Sequence, residues 1–237
     1  MSIVDQSNWK FVFNNSSPIS DALGTSKPPT ELIFSTSIEL VRHIADDDYD
    51  DYVRIQGHID KRIKADSVAR AWKKARTYLK DLKHFPRYRK SGYHLYHDAA
   101  RARQHGRATP KQQDLVNGLE AEINASRIFV SPRQILFHGR ADRNLTTCAP
   151  YPSFISTSLN PVVARNSAFR RAGVNLANGI PTVYILTLGC SLPALWGQTG
   201  KSVEWEILLP PLLTNVVKGQ YAGRNFDIVE AEVLGRG

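Results

Sequence analysis

Apolar residues recur at helical intervals through the first half of the chain and in short, nearly continuous runs through the second. Leu32, Ile33, Leu40, Val41 and Ile44 follow Thr30, a residue suited to capping, and predict a first helix over Glu31 to Ile44. Ile63, Trp72, Leu79 and Leu82 predict a second between Ile59 and Phe85, and Leu115, Val116, Leu119 and Ile123 predict another over Lys111 to Ala125. Between these two, Arg87 to Arg107 is basic with Tyr88, Tyr93 and Tyr96 interleaved, and Gly106 and Pro110 end it. After Ser131-Pro132 the runs shorten, and strands are predicted at Gln134 to His138, Ser153 to Ser158, Thr182 to Leu188, Val203 to Leu209 and Phe226 to Leu234. Val162, Val163, Ala164, Ala168 and Phe169 place one helix within Asn160 to Gly179. Helices first and mixed strands later, without regular strand–helix alternation, predict an α+β domain.

Residues 1–29 are rich in Ser, Asn and Pro and read as a flexible N-terminal arm. The remainder, 30–237, reads as one domain with a helical part over 30–130 and a strand-rich core over 131–237. The acidic run Asp46 to Asp51 lacks the glycine and closing glutamate of a calcium loop, so it reads as a solvated turn and no metal is assigned.

With 237 residues, 42% of them hydrophobic, the chain can bury a substantial core. No apolar run approaches the roughly 20 residues needed to span a bilayer, and the first residues lack the pattern of a Sec signal. Cys148 and Cys190 are too few for a disulfide framework and read as buried thiols in a reducing compartment. The balance of 31 basic to 22 acidic residues, a formal charge of +9, favours polyanions or a phosphate-bearing ligand. The basic span Lys61 to Arg107 carries no zinc finger, RRM or homeodomain signature, which disfavours nucleic acid as a partner.

Three segments carry candidate chemistry. In Glu204-Trp205-Glu206-Ile207-Leu208-Leu209, strand alternation would put both glutamates on one face, either in a cavity or on the polar side of an edge strand. In Phe154-Ile155-Ser156-Thr157-Ser158, it puts Ser156 and Ser158 on one face and Thr157 on the other. Ile135-Leu136-Phe137 ends in His138-Gly139-Arg140, where His138 and Arg140 share a side and Gly139 allows close approach to the backbone.

An aromatic residue before His-Gly, then aromatic-x-Ser-Thr-Ser, then Glu-x-Glu leading into Leu-Leu-Pro-Pro resembles the mono-ADP-ribosyltransferases of the Arg-Ser-Glu class. The resemblance runs from about Ile135 to Leu234 and implies the mixed-strand, NAD-binding core of that fold, with NAD as co-substrate. It implies Glu206 as the catalytic residue that holds the ribose 2′-hydroxyl, Ser156 as its orienting partner and Phe154 as a pocket wall. Thr157 and Ser158 complete the second motif. Glu204 would bind the guanidinium of an acceptor protein with an exposed arginine, and Trp196, in the segment Gly189 to Lys201, either meets that protein or packs inside. His138 stands where the class has its arginine, as in the diphtheria-toxin and poly-ADP-ribose polymerase branch, whereas Arg140-Ala141-Asp142 resembles the Arg-Ala-Asp of the cholera-toxin group. Either His138 or Arg140, beside Gly139, would therefore anchor NAD. By the same resemblance the chain would be a monomeric bacterial effector secreted into a host cell, with the bacterial cytoplasm as the alternative. NAD hydrolysis, or a silent fold serving as a binding module, is the competing function.

Overall fold

A computed structural model describes residues 9–13, 30–46, 55–61, 63, 79, 81–126, 128–141, 150–174, 179–197 and 205–236. The α+β expectation holds, with helices preceding a mixed sheet.

Strands β1 (Trp9–Phe13) and β2 (Thr30–Phe34) pair antiparallel, Trp9 opposite Phe34. This corrects two readings. Part of the predicted arm is a strand, and the helix predicted from Glu31 begins only at Ser37, as α1 (Ser37–Asp46). The start is set by a capping box: Glu39 N donates to Thr36 Oγ1 at 3.1 Å, and Thr36 N donates back to Glu39 Oε2 at 3.3 Å. Leu32 and Ile33, counted as helical, belong to the strand instead. Residues 55–61 are helical again, while Trp72, a position of the predicted second helix, lies outside the described residues.

The next helical stretch comprises α2 (His84–Arg87), a π-helical turn over Tyr88–Gly92, α3 (Tyr93–Gln104) and α4 (Pro110–Ala125). The last has a capping box between Thr109 and Gln112 and proline in its first turn. Glu122 of α4 accepts hydrogen bonds from the backbone N–H groups of Lys83, His84 and Phe85, each at 2.7 Å. A carboxylate on the free N–H groups of a helix start is favourable, and here it ties the start of α2 to α4. Gly118 leaves the space into which His84 fits, since a Cβ there would lie 2.2 Å from the imidazole.

Strands β3 (Phe129–Val130) and β8 (Leu192–Pro193) form a small pair. The main sheet contains β4 (Ile135–Arg140), β5 (Pro150–Tyr151), β6 (Ile155–Ser158), β7 (Thr182–Leu188), β9 (Leu195–Gly197), β10 (Glu206–Leu209), β11 (Leu213–Ala222) and β12 (Asp227–Arg236), in the order β5-β11-β12-β7-β4-β6-β10-β9. Among the described strands, only β12 and β7 run parallel. Strand β11 has no counterpart among the predicted strands because its second half, Lys218-Gly219-Gln220, alternates toward solvent and offers no apolar run. Helix α5 (Pro161–Val174) packs on β4 at Gly139, where a Cβ would fall 1.9 Å from the Ala164 carbonyl oxygen. Gly139 therefore serves helix–strand contact, where the sequence reading put it beside the ligand.

Two apolar clusters result. The larger joins the sheet to α1 and the 55–63 segment, through residues such as Leu40, Ile59, Tyr184 and Ile207. The second places Phe85, Tyr88, Tyr96, Leu119 and Ile123 against Phe154, Leu195 and Leu208, so the helices cover the end of the sheet where β6, β10 and β9 meet. Cys190 is a free, half-buried thiol, and Cys148 lies outside the described residues. No described helix is long and apolar enough to cross a membrane.

Candidate active site

Glu206 opens β10 and lies opposite Ser158 of β6, with Ser156 one diagonal step away. The Ser156 hydroxyl donates to Glu206 Oε1 at 2.7 Å. Glu206 is 8% exposed, so its charge depends on partners for its oxygens rather than on bulk water.

The residue before it is unusual. Trp205 has φ +47°, the left-handed region, which a bulky side chain adopts only under constraint and at a cost of about 1–3 kcal/mol. Two contacts supply that constraint: Leu159 N donates to the Trp205 carbonyl at 3.3 Å, and the indole Nε1 donates to Asp60 Oδ1 at 2.9 Å. The same Asp60 oxygen accepts from Asn160 Nδ2 at 3.0 Å, tying the loop after β6 to the turn before β10. Among the described residues, the strand predicted over Val203 to Leu209 starts at Glu206, after the left-handed Trp205. Glu204 itself lies outside the described residues.

The helical layer supplies the near wall. Arg89, on the π-helical turn, brings Nε to 3.5 Å from Glu206 Oε2, with its side chain largely covered. Tyr88 is buried, and its hydroxyl is 3.3 Å from His97 Nε2. His97 Nδ1 lies 2.5 Å from Ser153 Oγ. A polar chain thus runs from Tyr88 through His97 of α3 to Ser153. Burial pushes the His97 pKa down to about 3, with Arg171 and Arg101 adding to the shift. Burial likewise raises the Tyr88 phenol, and the nearby Glu206 charge raises it further. Both groups are neutral at pH 7.

The far wall is built on β4. His138 is buried, and burial together with the charges of Arg171 and Arg140 holds its pKa well below the ordinary value of 6.5. Neutral, it donates from Nδ1 to the Ser156 carbonyl at 2.6 Å, which leaves Nε2 as an acceptor. That Nε2 is buried and has no partner among the described residues. Arg140 donates to the Tyr151 hydroxyl at 2.8 Å and lies 5.1 Å from its ring centre. Arg171 of α5 belongs to none of the motifs that the sequence offered. Its charge adds to the lowering of the His97 and His138 pKa values. The available signal was helical spacing, since Arg171 is seven residues beyond Ala164 on the helix face that meets β4.

Ser156, Glu206, His138 and Arg140 are brought together by the pairing of β4, β6 and β10 around one region of the sheet. Phe154 is fully buried and meets Tyr88 edge-on at 6.5 Å, making it a wall of the same region. Thr157 and Ser158 turn their hydroxyls elsewhere: Thr157 donates to the Ile207 carbonyl at 2.7 Å, and Ser158 Oγ accepts from Asn160 N at 3.0 Å. They hold the strand pair and the following helix in place. Trp196, paired with Ile207 across β9 and β10, is 5% exposed and belongs to the large apolar cluster, so packing is the one of its two expected roles that the fold realises.

An anchored carboxylate in a covered site, a neutral histidine acceptor at His138 Nε2 and nearby arginines suit a ligand that carries both phosphate and sugar hydroxyls. Among the described residues, no group of three His, Cys, Asp or Glu side chains could hold a metal ion. No protein-family model matches the sequence, and no curated protein matches it. Several solved structures do match the fold. The Vis toxin, an ADP-ribosyltransferase from Vibrio splendidus, is 18% identical, with 62% of this chain and 70% of that one covered at a TM-score of 0.45. Exoenzyme S from Pseudomonas aeruginosa, bound to carba-NAD and human 14-3-3 protein beta, is 20% identical over 61% and 68% at 0.43. The C3 exoenzyme of Clostridium limosum is 17% identical over 74% and 94% at 0.47. At these identities and scores the roles of individual residues rest on the site's own geometry. All three of these solved structures are bacterial ADP-ribosyltransferase toxins.

Proposed function

We propose that the chain cleaves NAD at its nicotinamide–ribose bond and transfers ADP-ribose to an arginine of a target protein. The carrying observation is the 2.7 Å hydrogen bond from Ser156 to a buried Glu206. Cleavage builds positive charge on the ribose ring, and a carboxylate fixed in a covered site stabilises that charge more than one in water would. Ser156 occupies one Glu206 oxygen and aims the other. The dinucleotide would lie against β4, with Arg140 and Arg171 available to its phosphates and His138 Nε2 available to a sugar hydroxyl. Glu204, by the resemblance of the Glu-x-Glu motif, would receive the acceptor guanidinium, which needs a carboxylate's help because its pKa exceeds about 12.

On this reading the chain is a bacterial effector acting on a host protein, a setting supported by the resemblance. Hydrolysis of NAD is the second reading, favoured by the burial of Trp196, which withdraws the aromatic residue expected to meet a target. Incubation with labelled NAD and a host-cell lysate, followed by mapping of the modified residues, separates the two. Label on arginine supports transfer, label on another residue type contradicts the arginine assignment, and nicotinamide release without labelled protein supports hydrolysis.

A further inference from the structure

The imidazole of His97 grips two segments of the chain at once. Its Nδ1 lies 2.5 Å from Ser153 Oγ, and its Nε2 lies 3.3 Å from the Tyr88 hydroxyl. A neutral ring has one donor and one acceptor nitrogen, and a hydroxyl can serve either, so both contacts are satisfied together. The ring also sits beside two aromatic neighbours, with ring centres at 5.9 Å for Tyr88 and 6.1 Å for Tyr93. What each contact holds gives the pair its meaning. Ser153 directly precedes Phe154 and leads into Ser156, whose hydroxyl is 2.7 Å from Glu206 Oε1. Tyr88 directly precedes Arg89, whose Nε is 3.5 Å from Glu206 Oε2. The two nitrogens of one ring thus hold the two segments that reach the two oxygens of one carboxylate. Packing closes the loop, because the Tyr88 ring meets Phe154 edge-on at 6.5 Å.

We propose that His97 is a positioning residue for NAD cleavage, one that sets Ser156 and Arg89 against Glu206 at a fixed spacing. The inference rests on the NAD-cleavage reading above. Adhesion between the helices and the sheet is already supplied by apolar contact, with Phe85, Tyr96 and Leu119 in one cluster with Leu195 and Leu208. Two hydrogen bonds from a single side chain therefore add direction to that interface, as a satisfied buried network does. A carboxylate that must meet developing charge needs such support, since a small misplacement costs a large factor in rate. His97 acts through its neighbours, so its loss should lower kcat while the dinucleotide's contacts on β4 stay in place and KM for NAD changes little.

The test is steady-state nicotinamide release by the whole chain and by variants that cut one contact at a time. Ser153→Ala removes the first and Tyr88→Phe the second, each keeping nearly the same shape. Each should lower kcat several-fold with KM for NAD changed less than about twofold, and His97→Ala should lower kcat about tenfold or more. Asparagine places its amide near the position of Nδ1 and glutamine near that of Nε2. His97→Asn should therefore match Tyr88→Phe, and His97→Gln should match Ser153→Ala. In a Ser156→Ala background His97→Ala should cost much less than it does alone, because the residue it positions is gone. A lowered melting temperature with kcat unchanged, an equal rise in KM, or full additivity with Ser156→Ala overturns the positioning role while leaving NAD cleavage standing. Absence of nicotinamide release by the unsubstituted chain overturns both. If His97→Ala misfolds, the Ser153→Ala and Tyr88→Phe pair decides the matter.

Discussion

Ser156 and Glu206 stand on neighbouring antiparallel strands, one diagonal step apart, and the serine hydroxyl is held 2.7 Å from one glutamate oxygen. The pairing fixes the carboxylate's rotation as well as its place. Ser156→Ala should therefore lower kcat for NAD cleavage by about 10- to 100-fold, the scale of a lost hydrogen bond to a charged group, and change KM much less. An equal loss in KM would assign Ser156 to binding instead of to Glu206.

Asp60 should matter although its hydrogen bonds go to Trp205 and Asn160 rather than to the carboxylate. It holds Trp205 in its left-handed conformation and braces Asn160 with the same oxygen. Asp60→Ala should cost about 1–3 kcal/mol of stability and lower kcat, because Glu206 begins the strand that Trp205 aims. Asp60→Asn keeps an acceptor oxygen and should restore most of both. Denaturant melts and steady-state kinetics on the pair of variants check this, and a kcat unaffected by Asp60→Ala would remove the brace from the catalytic account.

How much of this was legible beforehand depends on the kind of residue. The motif residues Ser156, Glu206, His138 and Arg140 were visible because polar and charged types stand out on apolar strands. Thr182 to Leu188 was visible as a strand because it is buried on both faces and reads as a nearly unbroken apolar run. Thr30–Phe34 misled because five residues fit a helix face and a strand equally well, and only the Thr36-x-x-Glu39 box marks the helix start. Asp60, Arg89, Tyr88 and Arg171 were hidden for another reason. Each reaches the site through tertiary packing between segments far apart in the chain, as Asp60 does over 145 residues to Trp205. No local spacing encodes such contacts.

Acid should destabilise the protein through its histidines before its carboxylates. His97 and His138 are neutral in the fold, whereas in the unfolded chain each binds a proton below about pH 6.5. The unfolded state thus binds more protons in that range, and stability is fully present above it. It should fall as pH drops from about 6.5 towards 3, where His97 itself titrates. Asp46, whose carboxyl is held below its ordinary value by hydrogen bonds from the Tyr221 hydroxyl and the Arg224 backbone, adds a further loss only under more acid conditions. Thermal melts from pH 8 to pH 4 should show a plateau and then a decline, and His97→Gln should flatten part of it. A Tm constant across that range would mean that the histidines are protonated in the fold.

The NAD anchor should divide by chemistry. His138, a neutral acceptor, offers one hydrogen bond, so His138→Ala should weaken NAD binding several-fold to tens-fold. Arg140→Ala and Arg171→Ala should each weaken binding in a salt-dependent way, as expected for contacts to phosphate. Calorimetric titration at two ionic strengths distinguishes the classes. A salt-independent loss in both arginine variants would take the phosphates away from this wall.

The most direct measurement is nicotinamide release from NAD by the wild-type chain and by Glu206→Gln, side by side. Glutamine keeps the size of the side chain and can still accept the Ser156 hydrogen bond, but it lacks the charge that a developing ribosyl cation requires. The variant should fold with a melting temperature close to wild type and release nicotinamide on the order of 100-fold more slowly or not at all. Glu206→Gln turning over NAD at the wild-type rate would contradict the account at its centre.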